Sequence, residues 1–170
     1  KGVTSFHCSE ELWENPLDLG NQTKKEMDGL RVGWDLVLDI DCKFIDYSKI
    51  SADLIIKFLK QCDVKDVSCK FSGNKGFHLG VPFEAFPQKI NNVETKLLFP
   101  EAARKIAAYI KENIKDELGK KILAFEGNDF SKIKEKVELP AEDIIYYDKN
   151  YMGDKIAKLN VEKFLEIDTI

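Results

Sequence analysis

Two short stretches of this sequence combine residue types whose spacing suits chemistry. The first is Asp39-Ile40-Asp41, inside the apolar run WDLVLDID from Trp34 to Asp41. Apolar residues recur there with period two, which predicts a strand. Trp34, Leu36, Leu38 and Ile40 then share one face, and Val37, Asp39 and Asp41 share the other. Two carboxylates side by side on one face repel each other, and burying either one unpaired is costly. A divalent cation removes that cost, and hard oxygen donors of this kind suit Mg²⁺ or Mn²⁺. A strand end with solvated acids is the alternative, and the flanking apolar residues sit less comfortably with it.

The second stretch is SGNKGFH, Ser72 to His78. It lies between two further strand-like runs, DVSCKF (66–71) and FHLGVP (77–82), and its first five residues are turn formers, so a hairpin is predicted. Gly73 and Gly76 are expected to take positive φ and to let the backbone approach a ligand closely. With Asn74 between them, their N–H groups are expected to form an anion-binding nest. Ser72 offers a hydroxyl, Lys75 an ammonium and His78 an imidazole, all donors to phosphate oxygens. Strand alternation places Lys70, Ser72 and His78 on one polar face. An ordinary hairpin turn accounts for the glycines but has no need of Ser and His beside it.

The elements that must position these groups read as α+β. A helix is predicted from about Ser51 to Gln61, with Ile50, Leu54, Ile55, Phe58 and Leu59 near helical spacing. Pro100 introduces an amphipathic helix over about Glu101–Lys115, its buried stripe formed by Ala103, Ile106, Ala107, Ile110 and Ile114. Residues 1–33 are turn-rich. Residues 116–160 are rich in lysine and glutamate and carry a helix start near Asp129–Ser131. Val161–Leu165 reads as a short helix or turn, and Glu166–Ile170 as the start of a strand. The lysines over 111–136 are interrupted by acids, so a solvated helical face is the expected reading there, with contact to a nucleic-acid backbone as the alternative.

Composition bounds what these stretches serve. The chain has 170 residues, 44% apolar and 33% charged, which is neither a disordered nor a membrane-spanning composition. That length is enough for one domain with its own core. The chain starts at Lys1 and stops at Ile170 inside a strand-like run, so a single domain over 1–170, cut at both ends, is expected. The formal net charge is -4 and the pI about 5.4, which does not by itself announce a nucleic-acid binder. Cys8, Cys42, Cys62 and Cys69 form no CxxC pair and read as reduced thiols of an intracellular, cytoplasmic protein. The histidines are His7 and His78, and no Cys or His follows His78, so no zinc site is expected.

Taken in order, the strand with DxD, the helix, the SGxxGxH hairpin and a late strand carrying Asp resemble the catalytic small subunit of the archaeo-eukaryotic primase superfamily. The resemblance runs over residues 34–82 and resumes at 166–170. The upstream SFHCSEELWENP is compatible with it. The run SGNKGFHLGVP also resembles the polymerase domain of bacterial end-joining ligases. The resemblance implies an antiparallel-sheet palm similar to an RNA-recognition module, with flanking helices. It implies that Asp39, Asp41 and Asp168 hold two Mg²⁺ or Mn²⁺ ions. It implies that Ser72, Lys75 and His78, on a turn with Gly73, Asn74 and Gly76, contact an incoming nucleoside triphosphate.

The activity implied is template-directed nucleotidyl transfer on a DNA template and primer, as a primase or primase-polymerase, with a primase large subunit as an expected partner and no membrane. Three departures stand out. Asn74 and Lys75 occupy positions where replicative primases often carry arginine, no zinc knuckle follows the hairpin, and the chain ends before the family's later triphosphate-holding residues. A strand ending in DxD also opens haloacid-dehalogenase-type phosphohydrolases, in which the first Asp is the nucleophile. Those continue with a small residue and Thr, whereas Cys42-Lys43-Phe44 follow here. A non-catalytic nucleic-acid-binding module is the third reading.

Overall fold

The structure, a computed structural model, describes Gly2 and residues 8–169. Ser5 to His7 of the upstream stretch and Ile170 of the last strand lie outside those residues. From the N-terminus, β1 (Glu11–Trp13) is followed by α1 (Lys24–Leu30), β2 (Arg31–Trp34), β3 (Leu36–Cys42), α2 (Ile45–Gln61), β4 (Ser68–Phe71) and β5 (Phe77–Val81). Then come β6 (Lys89–Ile90), β7 (Val93–Glu94), α3 (Glu101–Phe125), α4 (Phe130–Val137), α5 (Ala141–Ile144), β8 (Ile145–Lys149), β9 (Lys155–Leu159) and β10 (Leu165–Thr169). The fold is mixed α+β. All strand pairings among the described residues are antiparallel.

The centre is a four-stranded sheet in the order β10-β3-β5-β4. Its inner face carries Leu36, Leu38, Ile40 and Cys42 of β3, Leu79 and Val81 of β5, and Leu165 and Ile167 of β10, all buried. α2 covers this face with Tyr47, Leu54, Ile55 and Leu59, and α3 with Ala107, Ile110, Ile114, Leu118 and Ile122. Each fully buried Leu or Ile contributes about 1.5–3 kcal/mol. That weight decides which way β3 faces, so Val37, Asp39 and Asp41 must point to the opposite, uncovered face.

Three element ends differ from the sequence prediction, each for a physical reason. The predicted strand Trp34–Asp41 is two strands. Asp35 breaks the run: its N–H donates to the Glu10 carbonyl, and its carboxylate accepts from the Phe83 N–H at 2.9 Å. α2 begins at Ile45 rather than Ser51, because Ser48 and Ser51 are buried inside the helix and do not cap it. α3 runs to Phe125, ten residues past the predicted Lys115. Gly119, a helix breaker by propensity, is tolerated because β9 packs on it: a Cβ there would lie 3.2 Å from the Leu159 carbonyl. The unplaced region 116–160 supplies α4, capped by Asp129 as expected, and the β8–β9 hairpin. Among the described residues, no helix is long and apolar enough to cross a membrane.

Candidate functional site

Strand register assembles the site. Asp39 of β3 pairs with Asp168 of β10 on one side and with His78 of β5 on the other. His78 in turn pairs with Lys70 of β4. Asp168, Asp39, His78 and Lys70 therefore form one row across all four strands of the open face. One step along β3, Asp41 pairs with Glu166. Asp39, Asp41, Glu166 and Asp168 thus make a two-by-two block of carboxylates. Directly opposed Cβ atoms of such a ladder are about 4.5–5.5 Å apart.

The neighbours of this block leave most of its charge uncompensated. His78 Nε2 stands 3.4 Å from Asp39 Oδ1, with the two side chains 28% and 42% exposed. Asp168 accepts the Thr169 N–H at 2.8 Å. Among the described residues, no Lys or Arg lies within ion-pair distance of Asp41, Glu166 or Asp168. Like charges directly opposite on a ladder are destabilising. The donor chemistry fits a hard divalent cation. The carboxylates are arrayed along two strands, and among the described residues no three ligating side chains converge into a closed cage. Cys42 is no ligand: it lies in the core, and burial pushes its thiol pKa up.

The Ser72–Gly76 turn lies against the end of this block. Gly76 is buried, and a Cβ on it would fall 1.8 Å from the Ile40 carbonyl oxygen and 3.3 Å from Asp41 Cα. Its lack of a side chain brings the turn onto β3 beside Asp41. This corrects the expected role of Gly76: it takes no positive φ, whereas Gly73 does, at 97°. The Ser72 N–H donates to the Gly76 carbonyl at 3.0 Å, and the Gly76 N–H donates to Ser72 Oγ at 3.2 Å. The Gly76 N–H is therefore spent inside the turn and is not part of an anion nest. Those of Gly73, Asn74 and Lys75 have no protein acceptor among the described residues. Ser72 has left the strand and closes the turn, so the row holds Lys70 and His78 without it. Its hydroxyl keeps its own proton to donate. From beneath, Ser48 Oγ of α2 donates to the Lys75 carbonyl at 2.9 Å, tying the turn to the helix layer.

A groove of about 760 Å³ opens on the other side of the row, within the range of small-molecule sites. Its floor is Val37, Gly80 and Ser68, the next row along the sheet, and Lys70 and His78 form its wall toward the acids. A second groove, of about 620 Å³, begins at Asp41 and Glu166 and carries Lys43, Lys111 and Lys163.

Two members of this site escaped the sequence reading. Lys70 was placed on the polar face but given no role. Glu166 was not singled out, although Glu166-Ile167-Asp168 repeats the acid-Ile-acid spacing of Asp39-Ile40-Asp41. The repeat was the available signal. Its meaning depends on register, which brings the two triplets side by side.

Comparison with known proteins adds one relative. The chain is 33% identical over 94 residues to an uncharacterized protein of Methanocaldococcus jannaschii. The matched stretch covers 54% of this chain and 20% of that protein, so the chain spans about a fifth of the relative's length. No protein-family model matches the chain, and no solved structure matches it.

Proposed function

We propose that this chain is the catalytic core of a template-directed nucleotidyltransferase of the primase or primase-polymerase type, built on a primase-like palm. The observation that carries this reading is the row Asp168–Asp39–His78–Lys70, with Asp41 and Glu166 beside it. Carboxylates gather at one end of the row and cationic donors at the other. That polarity suits a substrate that is itself a metal-bound polyanion, such as a nucleoside triphosphate. Asp39, Asp41 and Asp168, helped by Glu166, would hold Mg²⁺ or Mn²⁺. Bound there, such ions lower the pKa of an attacking hydroxyl and offset charge on the leaving pyrophosphate.

The chain's own residues do the rest. His78 and Lys70 donate to phosphate oxygens from the β5–β4 side. Ser72, Lys75 and the open N–H groups of Gly73 and Asn74 do so from the turn beside Asp41. The nucleoside part of the substrate fits the groove floor of Val37, Gly80 and Ser68, where Ser68 Oγ lies against Gly80 and donates to its carbonyl at 3.2 Å.

The test is incorporation of labelled nucleotides on a primed template with Mg²⁺ or Mn²⁺, with Asp39→Asn alongside. Loss of an outer-sphere partner of a metal site typically costs 10–100-fold, so loss of a ligand should lower incorporation by at least about 100-fold. An unprimed template in the same assay separates primer synthesis from extension. Template binding without any incorporation, in folded protein with both ions tried, would move the reading to a non-catalytic nucleic-acid-binding module.

A further inference from the structure

The second groove carries an inference that rests on the polymerase reading and extends it to the nucleic-acid partner. The two grooves lie at opposite ends of the acid block. Along β3 the order is Val37 in the first groove, then Asp39, then Asp41 at the mouth of the second. At about 3.3 Å per residue, Val37 and Asp41 are some 13 Å apart. The carboxylates therefore stand between two separate clefts rather than at the bottom of one. That arrangement suits a group transfer, with one reactant held on each side of the reacting centre.

The clefts differ in chemistry. The first has Val37, Gly80 and Ser68 on its floor, Lys70 and His78 on the wall toward the acids, and Glu10, Asp35 and Asp66 farther round its lining. The second gathers three lysines from three elements. Lys43 comes from the β3–α2 turn, Lys111 from α3, and Lys163 from the turn entering β10. Glu162 and Glu166 share that groove, yet among the described residues no carboxylate lies within 4 Å of Lys111 or Lys163. Lys43 reaches Glu138 at 3.2 Å, but that pair is 59% and 75% exposed and holds it weakly. Lysines that pass over adjacent carboxylates leave their charge for an external anion. Three such lysines lining one groove from three elements suit the several charges of a phosphodiester chain.

We propose that the Lys43–Lys111–Lys163 groove holds the phosphodiester backbone of the primer–template, delivering its 3′ end to Asp41 and Asp39, while the nucleotide occupies the other cleft. The experiment measures binding of a fluorescent primer–template by anisotropy over a salt series, in EDTA so that no chemistry intervenes. The wild type is compared with the double variant Lys111→Gln/Lys163→Gln and with Lys60→Gln/Lys120→Gln, a control on exposed helix positions outside both grooves.

Each lost phosphate contact removes about 0.7–0.9 from the slope of log K against log salt, so the groove variant should lose about 1.4–1.8 and the control nothing. A several-fold weaker affinity at low salt should accompany it. Lys111→Arg/Lys163→Arg keeps the charges and should restore the slope, which a packing defect would not permit. Equal slopes for wild type and groove variant, or an equal loss in the control, would overturn the inference. The polymerase reading fails separately, through absent nucleotide incorporation. A lysine-dependent slope in a protein that incorporates nothing would leave the groove assignment standing alone.

Discussion

At the residue scale, charge spacing decides the behaviour of the site. Asp41 and Glu166 face each other across β3 and β10 with no cation beside them among the described residues. Opposed like charges on a ladder are unfavourable by about 0.2–1 kcal/mol. In EDTA, therefore, Asp41→Asn and Glu166→Gln should each raise the melting temperature slightly. Mn²⁺ should reverse the order, because ligand binding stabilises the folded wild type by RT ln(1 + [L]/Kd) and the variants bind less well. Melts that ignore both Mn²⁺ and the substitutions would show four independently solvated acids and remove the cation from the account. Asp39-Ile40-Asp41 and the SGxxGxH turn were legible in the sequence, because residue type and local spacing are local properties. That Asp39 lies between Asp168 and His78 was not, since pairing partners distant in the chain are chosen by sheet register.

The hairpin shows the same division at the scale of an element. Its two glycines look alike in sequence and do different work. Gly73 holds φ at 97° with open space around the position of a Cβ, so Gly73→Ala should cost about 1–2 kcal/mol of left-handed strain and little else. Gly76 holds an ordinary φ, but a Cβ there would collide with the Ile40 carbonyl. Gly76→Ala must push the turn off β3, at a cost of about 1–3 kcal/mol or more, and so displace Ser72 and Lys75 from Asp41. Urea melts give the order of the two. Nucleotide binding should survive the first substitution and fail in the second. Similar costs and similar binding for both would mean that the turn tolerates lifting away from β3. Helix ends were the least legible elements. The sequence suggested a helix start near Ser51 and a stop after Lys115, while tertiary packing buried the serine inside α2 and covered Gly119 with β9. Propensity is a weak local preference, and burial overrides it.

Across the whole molecule, two polar knots hold the helix layer and the β8–β9 hairpin in place. Lys136 of α4 donates to Glu126 Oε1 at 2.6 Å and lies 4.6–5.6 Å from the ring centres of Tyr47, Phe44 and Phe125, a cation set among aromatic faces. The Tyr47 hydroxyl donates to the same carboxylate at 2.8 Å, joining α2, α3 and α4 just behind the β3–α2 turn. Lys158 of β9 bridges Asp116 of α3 and Asp148 of β8. The general α+β class follows from the periodicities read in the sequence. These knots do not, because 116–160 reads there as an undifferentiated charged stretch.

The knots set the acid sensitivity of the fold. The hydrogen bond from Lys136 holds the Glu126 carboxyl below its usual 4.5, and that from Lys158 holds Asp116 below its usual 3.8. As pH falls, the unfolded chain takes up these protons before the folded one. The stabilisation is therefore complete above about pH 5 and drains as pH drops through 4.5 and toward the depressed values. Lys136→Met keeps the length that packs on the rings and removes the charge. It should cost about 1–3 kcal/mol at pH 7 through the lost charged hydrogen bond and cation–π contacts. It should also flatten the loss of stability between pH 5 and 3, because Glu126 then titrates nearer its unfolded value. Urea melts at pH 7, 5 and 4 measure both effects at once. A variant that loses stability at neutral pH but keeps the full acid slope would place the acid sensitivity in the Asp116–Lys158 knot alone, leaving Lys136 as a packing contact between α4 and the helices behind the site.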